Sequence, residues 1–147
     1  MKIARTFLLI SLLFLSCGSS KMQKNGTYRP FIDTYWVLYA IQQEAVSVTN
    51  DIPPYILFDS SGRYSGYTGC NHFFGNYKLT SNKLTLDYAG ATRKLCLNTQ
   101  ELESSFLKML KMEIRSFKIE KDTLLILGGK GELLHFVAAD SIPTNFQ

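Results

Sequence analysis

The sequence predicts a mainly β (α+β) domain, in which an antiparallel sheet curls towards a small barrel and one helix packs on it. Two observations lead to this prediction. Short runs of β-branched and aromatic residues recur between turn-forming residues from Tyr35 onwards. One later stretch, residues 98–112, has the apolar spacing of an amphipathic helix. A chain of this length, about 110 residues without its N-terminus, suffices for one hydrophobic core.

The N-terminus predicts a secretory leader. Two basic residues precede an apolar run at positions 7–15, which is too short for a stable membrane-spanning helix. The run ends at a serine followed by Cys17, and this arrangement resembles the bacterial lipoprotein signal. Residues 1–16 are therefore predicted to be a signal peptide of the lipoprotein type, with Cys17 as the acylated first residue of the mature chain. An ordinary signal peptide with a chance cysteine is the alternative.

Residues 17–33 are predicted to be the acylated cysteine and a flexible tether, because positions 18–26 are mostly small and polar. The acyl chains would hold the protein on a membrane, since burial of each CH₂ contributes about 0.8 kcal/mol. We therefore expect a membrane-anchored lipoprotein of the bacterial cell envelope, facing the periplasm or the cell exterior. Without the leader, 14 basic residues stand against 12 acidic ones, and no nucleic-acid partner is expected.

The predicted domain, residues 34–139, begins with an aromatic strand at 35–40. Its other strands are expected at 55–58, 63–68, 73–79, 83–88, 116–120, 123–127 and 132–138, with residues 46–51 a weak strand or a loop. Turn-forming residues such as Asp, Ser, Asn and Gly separate most of these runs. Residues 140–147 are predicted to be a frayed tail.

The helix is expected to begin at Asn98, with Glu101 three residues later as in a variant of the capping box. Its apolar stripe is predicted to pack against the sheet. The stripe consists of Leu102, Phe106, Met109 and Leu110. Glu103 and Lys108 lie off this stripe and are assigned to the solvated face.

The segment at residues 62–77, GRYSGYTGCNHFFGNY, organises the predicted sheet. It interleaves four glycines with five aromatic residues. Glycine permits positive φ or a close approach of two chains, and the rings supply apolar area to a sheet face. The triplet from Gly69 to Asn71 is predicted to be a bend between two strands. Asn71 is expected to be a bend residue that tolerates the left-handed conformation, and a ligand contact is the alternative.

If Cys17 carries lipid, Cys70 and Cys96 remain as a pair outside the cytoplasm, where disulfides persist. Pairing them would stabilise the domain by about 3–4 kcal/mol on the chain-entropy account. Two buried free thiols are the alternative. Cys70 with His72 also suggests a nucleophile, but no third orienting group is visible, so no catalytic residue is predicted. No metal or cofactor is expected, since His72 and His135 are the only histidines and no ligand spacing appears.

Four features together resemble the META domain family, which includes HslJ-like heat-shock lipoproteins of bacterial envelopes. They are Trp36-Val37-Leu38, Phe58 followed by residues 62–77, Thr92-Arg93-Lys94-Leu95-Cys96, and Glu101 with Phe106 and Leu107. The predicted structural motif consists of Gly66, Gly69, Asn71, Phe73, Gly75 and Thr92. The resemblance implies an antiparallel β-rich fold with a helix, and it implies no defined reaction.

The sequence therefore predicts a non-catalytic, lipid-anchored envelope protein with a binding or stabilising role in stress tolerance, and not an enzyme. Its expected partners are the membrane, through the N-terminal lipid, and an unidentified envelope protein or an apolar ligand. Two alternatives remain open. A small barrel lined by aromatic residues suits a carrier of a small apolar ligand, and a reactive cysteine pair would suit a thiol-disulfide enzyme.

Overall fold

The computed structural model describes residues 28–47, 51–81, 83–131 and 133–142. The predicted signal peptide, Cys17 and most of the predicted tether lie outside these residues. The described elements, in chain order, are β1 (Tyr35–Ile41), β2 (Glu44–Ala45), β3 (Tyr55–Phe58), β4 (Arg63–Tyr67), β5 (His72–Thr80), β6 (Lys83–Ala91), α1 (Gln100–Leu110), β7 (Ile114–Glu120), β8 (Thr123–Gly128) and β9 (Leu133–Ala139). None of the helical residues described forms a segment long and apolar enough to span a bilayer.

The strands form one antiparallel sheet in the order β6-β5-β4-β3-β1-β9-β8-β7, and the short β2 pairs with β1. The first long strand therefore pairs with the last, with Trp36 opposite Ala138. The sheet curls until β6 and β7, at its two edges, approach each other. This curled half-barrel confirms the predicted fold class.

The concave side of the sheet is filled by large apolar side chains and by the helix. Trp36, Phe73 and Phe136 lie on the sheet and are fully buried or nearly so. Phe106 of α1 inserts between them, with its ring centre 5.4 Å from that of Phe73 and 6.1 Å from that of Phe136. The helix therefore covers the open side of the half-barrel and completes its core.

The predicted helix is present, but its start differs. The N-cap residue is Thr99, and its side chain makes no capping hydrogen bond. The capping box expected from Asn98 and Glu101 is wrong, because a cap at Thr99 places Glu101 at the second helical position instead of the third. The predicted packing of the apolar stripe is confirmed: Phe106, Met109 and Leu110 are buried, and Leu102 packs at the edge of the core.

The folded unit begins before residue 34, where the sequence places the domain boundary. Phe31 stacks on Phe58 with ring centres 4.2 Å apart, and its ring also lies 5.4 Å from that of Phe117. Arg29 forms an ion pair with Asp140, the first residue of the predicted tail. Pro30 opposes regular structure at this point, but packing of the partly buried Phe31 ring holds the segment against the sheet.

Candidate functional site

The bend between β4 and β5 is built on Thr68. The Thr68 hydroxyl accepts hydrogen bonds from the backbone N–H groups of Cys70 and Asn71, at 3.3 and 2.9 Å. The backbone N–H of Thr68 donates to the Asn71 carbonyl at 2.8 Å. The left-handed residue of this bend is Gly69, with φ at 96°, and not Asn71. Glycine takes this conformation without a Cβ clash, and the Asn71 side chain is thereby free for other contacts.

The Asn71 side chain joins three segments of the chain. It is 2% exposed. Its amide nitrogen donates to both carboxylate oxygens of Glu103 in α1, at 2.8 and 3.0 Å, and to the Lys94 carbonyl at 3.0 Å. Its amide oxygen accepts from the Lys94 N–H at 2.7 Å and from the Thr92 hydroxyl at 2.8 Å. A single buried amide thus ties the bend to the helix and to the loop that follows β6.

Thr92 extends this network to β5. Its hydroxyl also accepts the backbone N–H of His72 at 3.1 Å, and its own N–H donates to the His72 carbonyl at 2.9 Å. The His72 imidazole lies on the outer face of the sheet, with its ring centre 5.1 Å from that of Tyr67. Cys70 is only 2% exposed. The structure therefore separates the two residues of the suggested nucleophile pair, because the bend interrupts strand alternation between them.

The disulfide between Cys70 and Cys96 is present, with Cα atoms 6.1 Å apart, so the free-thiol alternative is wrong. It fastens the end of the loop at residues 92–96 to the bend. The loop is therefore held at three points: the Thr92 hydroxyl, the backbone of Lys94, and the sulfur of Cys96.

Two glycines of the motif allow aromatic rings to lie across neighbouring strands. Gly66 is opposite Phe73, and Tyr64 is opposite Gly75. A Cβ atom at Gly66 would overlap the Tyr55 carbonyl oxygen and the Phe73 ring. A Cβ atom at Gly75 would overlap the Tyr64 ring and a backbone oxygen of β6. Both glycines are therefore required by close approach, since neither has a positive φ.

A groove of about 650 Å³ runs between the end of β6, the 92–96 loop and α1. Lys111 lies over the Tyr88 ring, with its Nζ atom 4.5 Å from the ring centre. Burial raises the pKa of Tyr88, and the nearby Glu103 carboxylate raises it further, whereas Arg93 lowers it. Among the described residues, no cluster of three histidine, cysteine or carboxylate side chains is placed to hold a metal ion.

Glu103 is the site residue that sequence reasoning missed. The helical pattern assigns it to the solvated face, whereas its carboxylate binds the buried Asn71 amide. The only local signal is its position four residues before Leu107, which packs at the edge of the core.

Comparison with known proteins gives a family and a fold. A family model described as the META domain matches residues 29–141. An NMR structure of a protein from Burkholderia xenovorans is 26% identical, with a TM-score of 0.61 over 76% of this chain and 85% of that chain. A second NMR structure is 27% identical, with a TM-score of 0.58 over 71% of this chain and 89% of that chain.

A crystal structure of a DUF4847 family protein from Bacteroides vulgatus ATCC 8482 is 13% identical, with a TM-score of 0.58 over 76% of this chain and 96% of that chain. At that identity the likeness shows the fold alone. None of the curated proteins matches the chain.

Proposed function

The chain belongs to the META domain family, and from this premise we propose that it is a non-catalytic, lipid-anchored protein of the bacterial cell envelope. Its role is to bind or stabilise another envelope component under stress. The lipid is attached at Cys17, and the folded domain follows on a short tether. The family has no established reaction, which fits a role in binding.

The observation that carries this proposal is that the polar groups of the motif bind other parts of the same chain. The Cys70 sulfur is in a disulfide, and the Asn71 amide and the Thr92 hydroxyl each bind other parts of the chain. The thiol that could act as a nucleophile and the polar side chains next to it are therefore engaged in holding one loop in place. This supports a rigid domain that acts through its surface.

The disulfide also supports the proposed compartment. Disulfides form and persist in oxidising surroundings such as the periplasm and the cell surface, and cytoplasmic thiols are kept reduced. A disulfide that joins residues 26 apart, with Cys70 buried, serves stability.

The two alternative functions draw less support from the fold. A carrier needs room inside the barrel, and Phe106 with its neighbours fills the concave side. A thiol-disulfide enzyme needs an accessible sulfur with a nearby base, whereas Cys70 is buried and the His72 ring lies on the outer face. A binding or stabilising role requires neither feature.

One set of strains tests the anchor and the role together. A strain that lacks the gene is complemented with the wild-type chain, with Cys17→Ala, or with Cys70→Ala/Cys96→Ala. We expect metabolic labelling with palmitate to mark the wild-type and double-variant chains and to be lost in Cys17→Ala. Survival after a heat shift should be restored by the wild-type chain and reduced by Cys17→Ala.

The double variant is the matched control, because it removes two cysteines and leaves the proposed acylation site intact. Palmitate label that persists in Cys17→Ala would refute the anchor. Equal survival of the deletion strain and the complemented strain, at every temperature tried, would refute the stress role and leave the anchor standing.

A further inference from the structure

Two leucines on the 92–97 loop are exposed to an unusual degree. Leu95 is 79% exposed and Leu97 is 78% exposed, the largest fractions among the large apolar side chains that the structure describes. They flank Cys96, one half of the disulfide. Single exposed leucines are ordinary, but these two lie on either side of a disulfide-bonded residue. We refer to Leu95 and Leu97 together as the apolar tip.

Hydrogen bonds of the loop backbone on both sides of Leu95 fix the position of the apolar tip. Both the N–H and the carbonyl of Lys94 are hydrogen-bonded to Asn71, at 2.7 and 3.0 Å. The Cys96 carbonyl accepts the N–H of Thr99 at 3.2 Å, which links the loop to the start of α1. Because the loop is ordered in advance, binding through its leucines would cost little conformational entropy.

Three cations line the groove beside Leu95. They are Arg93, Lys94 and Lys111, and all three are exposed. The carboxylate that shares the groove is Glu103, and its oxygens accept hydrogen bonds from Asn71. The apolar tip therefore carries a rim of net positive charge.

We propose that the 92–97 loop inserts Leu95 and Leu97 into the surface of an anionic lipid bilayer, with Arg93, Lys94 and Lys111 against its headgroups. Leucine side chains gain from burial at the boundary of headgroups and acyl chains, and basic side chains are attracted to an anionic surface within a Debye length. Protein interfaces instead favour aromatic residues and are depleted of lysine. The inference goes beyond the proposed anchor, since a lipid on Cys17 would only raise the local concentration of the loop at the membrane.

Fluorescence quenching by brominated phospholipids tests the proposal. The full chain, with the N-terminus that the cell leaves on it, carries Leu95→Trp and is mixed with excess vesicles of brominated phosphatidylcholine, with or without phosphatidylglycerol. We expect the added tryptophan to be quenched and blue-shifted with the anionic vesicles, and much less with phosphatidylcholine alone. Trp36 is fully buried and gives a constant background.

The matched control is Leu79→Trp. Leu79 is 41% exposed and lies near the far end of β5 from the bend, so a tryptophan there should stay unquenched. Replacement of Arg93, Lys94 or Lys111 by glutamine should lower the partition coefficient for anionic vesicles about fivefold for each cation removed. Leu97→Trp provides a second position in case the first variant does not keep its native circular dichroism.

Three results would overturn the proposal. The first is an absence of quenching at positions 95 and 97 with excess anionic vesicles, whether or not the chain floats with them. The second is equal quenching at position 79, which would indicate contact without orientation. The third is a dimer in the absence of lipid that Leu95→Asp dissociates, because a second copy would then cover the leucines. Flotation and the palmitate label report on Cys17 separately, so failure of the loop and failure of the anchor are distinguishable.

Discussion

At the scale of single residues, the Asn71 side chain forms hydrogen bonds with several residues that are distant in the sequence. Its amide meets Lys94 and Glu103, which lie 23 and 32 residues further along the chain. The sequence marks Asn71 as part of a bend because asparagine is common in turns. Local pattern could not reveal its buried role, since that role depends on which helix face meets the bend after folding. The helical pattern assigns Glu103 to the solvated face because it does not show which helix face meets the bend.

Replacement of Asn71 should destabilise the domain strongly. Asn71→Ala leaves the Lys94 backbone and the Glu103 carboxylate without their partner, and we expect the free energy of unfolding to fall by about 3 kcal/mol. Asn71→Asp should cost at least as much at neutral pH, because a second carboxylate would then face that of Glu103. Urea unfolding followed by circular dichroism measures both changes.

The pH dependence of these two losses of stability distinguishes charge repulsion from the loss of the Asn71 hydrogen bonds. Two adjacent carboxylates repel when both are ionised, and protonation of one at acidic pH removes the repulsion. The deficit of Asn71→Asp should therefore shrink as the pH falls, and by more than that of Asn71→Ala, which introduces no second carboxylate. Asn98→Asp, at an exposed position before α1, is the control and should change stability little. A deficit of Asn71→Asp that is independent of pH would contradict this account.

At the scale of elements, the strands were largely predictable and the contacts between them were not. The alternating run at 83–88 predicts β6 but stops short of Ala91, because Ala89 and Gly90 have weak strand preference. Gly90 and Ala91 pair with β5, and Ala89 lies at a shift in the register. The two-residue β2 leaves no pattern long enough to detect. The motif glycines were recognisable, yet the ring that each one accommodates depends on strand register, which the sequence does not display.

Alanine substitution should distinguish the glycines by their surroundings. Gly66→Ala brings a methyl group against the Tyr55 carbonyl and the Phe73 ring, so we expect a loss of about 3 kcal/mol or failure to fold. Gly90→Ala meets only the outer ring atoms of Phe74, the nearest at 3.4 Å, and should be tolerated. Chemical unfolding of the two oxidised variants provides the comparison. Equal losses at the two positions would show that glycine serves chain flexibility and not close approach.

At the scale of the whole molecule, the curled sheet buries several tyrosines, and stability should depend on alkaline pH. Burial is the main cause of the raised pKa at five of them, Tyr55, Tyr64, Tyr67, Tyr77 and Tyr88. A group whose pKa is higher in the folded state contributes stability that is complete below the unfolded value and is lost as the pH rises through the folded value. The domain should therefore lose stability above about pH 10, the ordinary tyrosine pKa.

Replacement of two of these tyrosines by phenylalanine tests the contribution of each hydroxyl group to stability. The Tyr64 hydroxyl is buried without a hydrogen-bond partner, so Tyr64→Phe should stabilise the domain by about 1 kcal/mol at about pH 8. It should also flatten the loss of stability at about pH 11. The Tyr77 hydroxyl donates to the Asp59 carbonyl at 2.7 Å, so Tyr77→Phe should destabilise by about 1 kcal/mol. Rapid urea unfolding at the two pH values measures both, and a loss of stability in Tyr64→Phe at about pH 8 would contradict the assignment.

The pairing of β1 with β9 has a consequence for how the protein is made. A ribosome releases the chain from its N-terminus at about 5–20 residues per second, so β1 emerges many seconds before its long-range partner exists. Until then one side of the future central strand is an open edge, which can pair with any other nascent chain. The sheet therefore cannot close until β9 has left the ribosome, and until then β1 keeps an edge that is open to incorrect pairing.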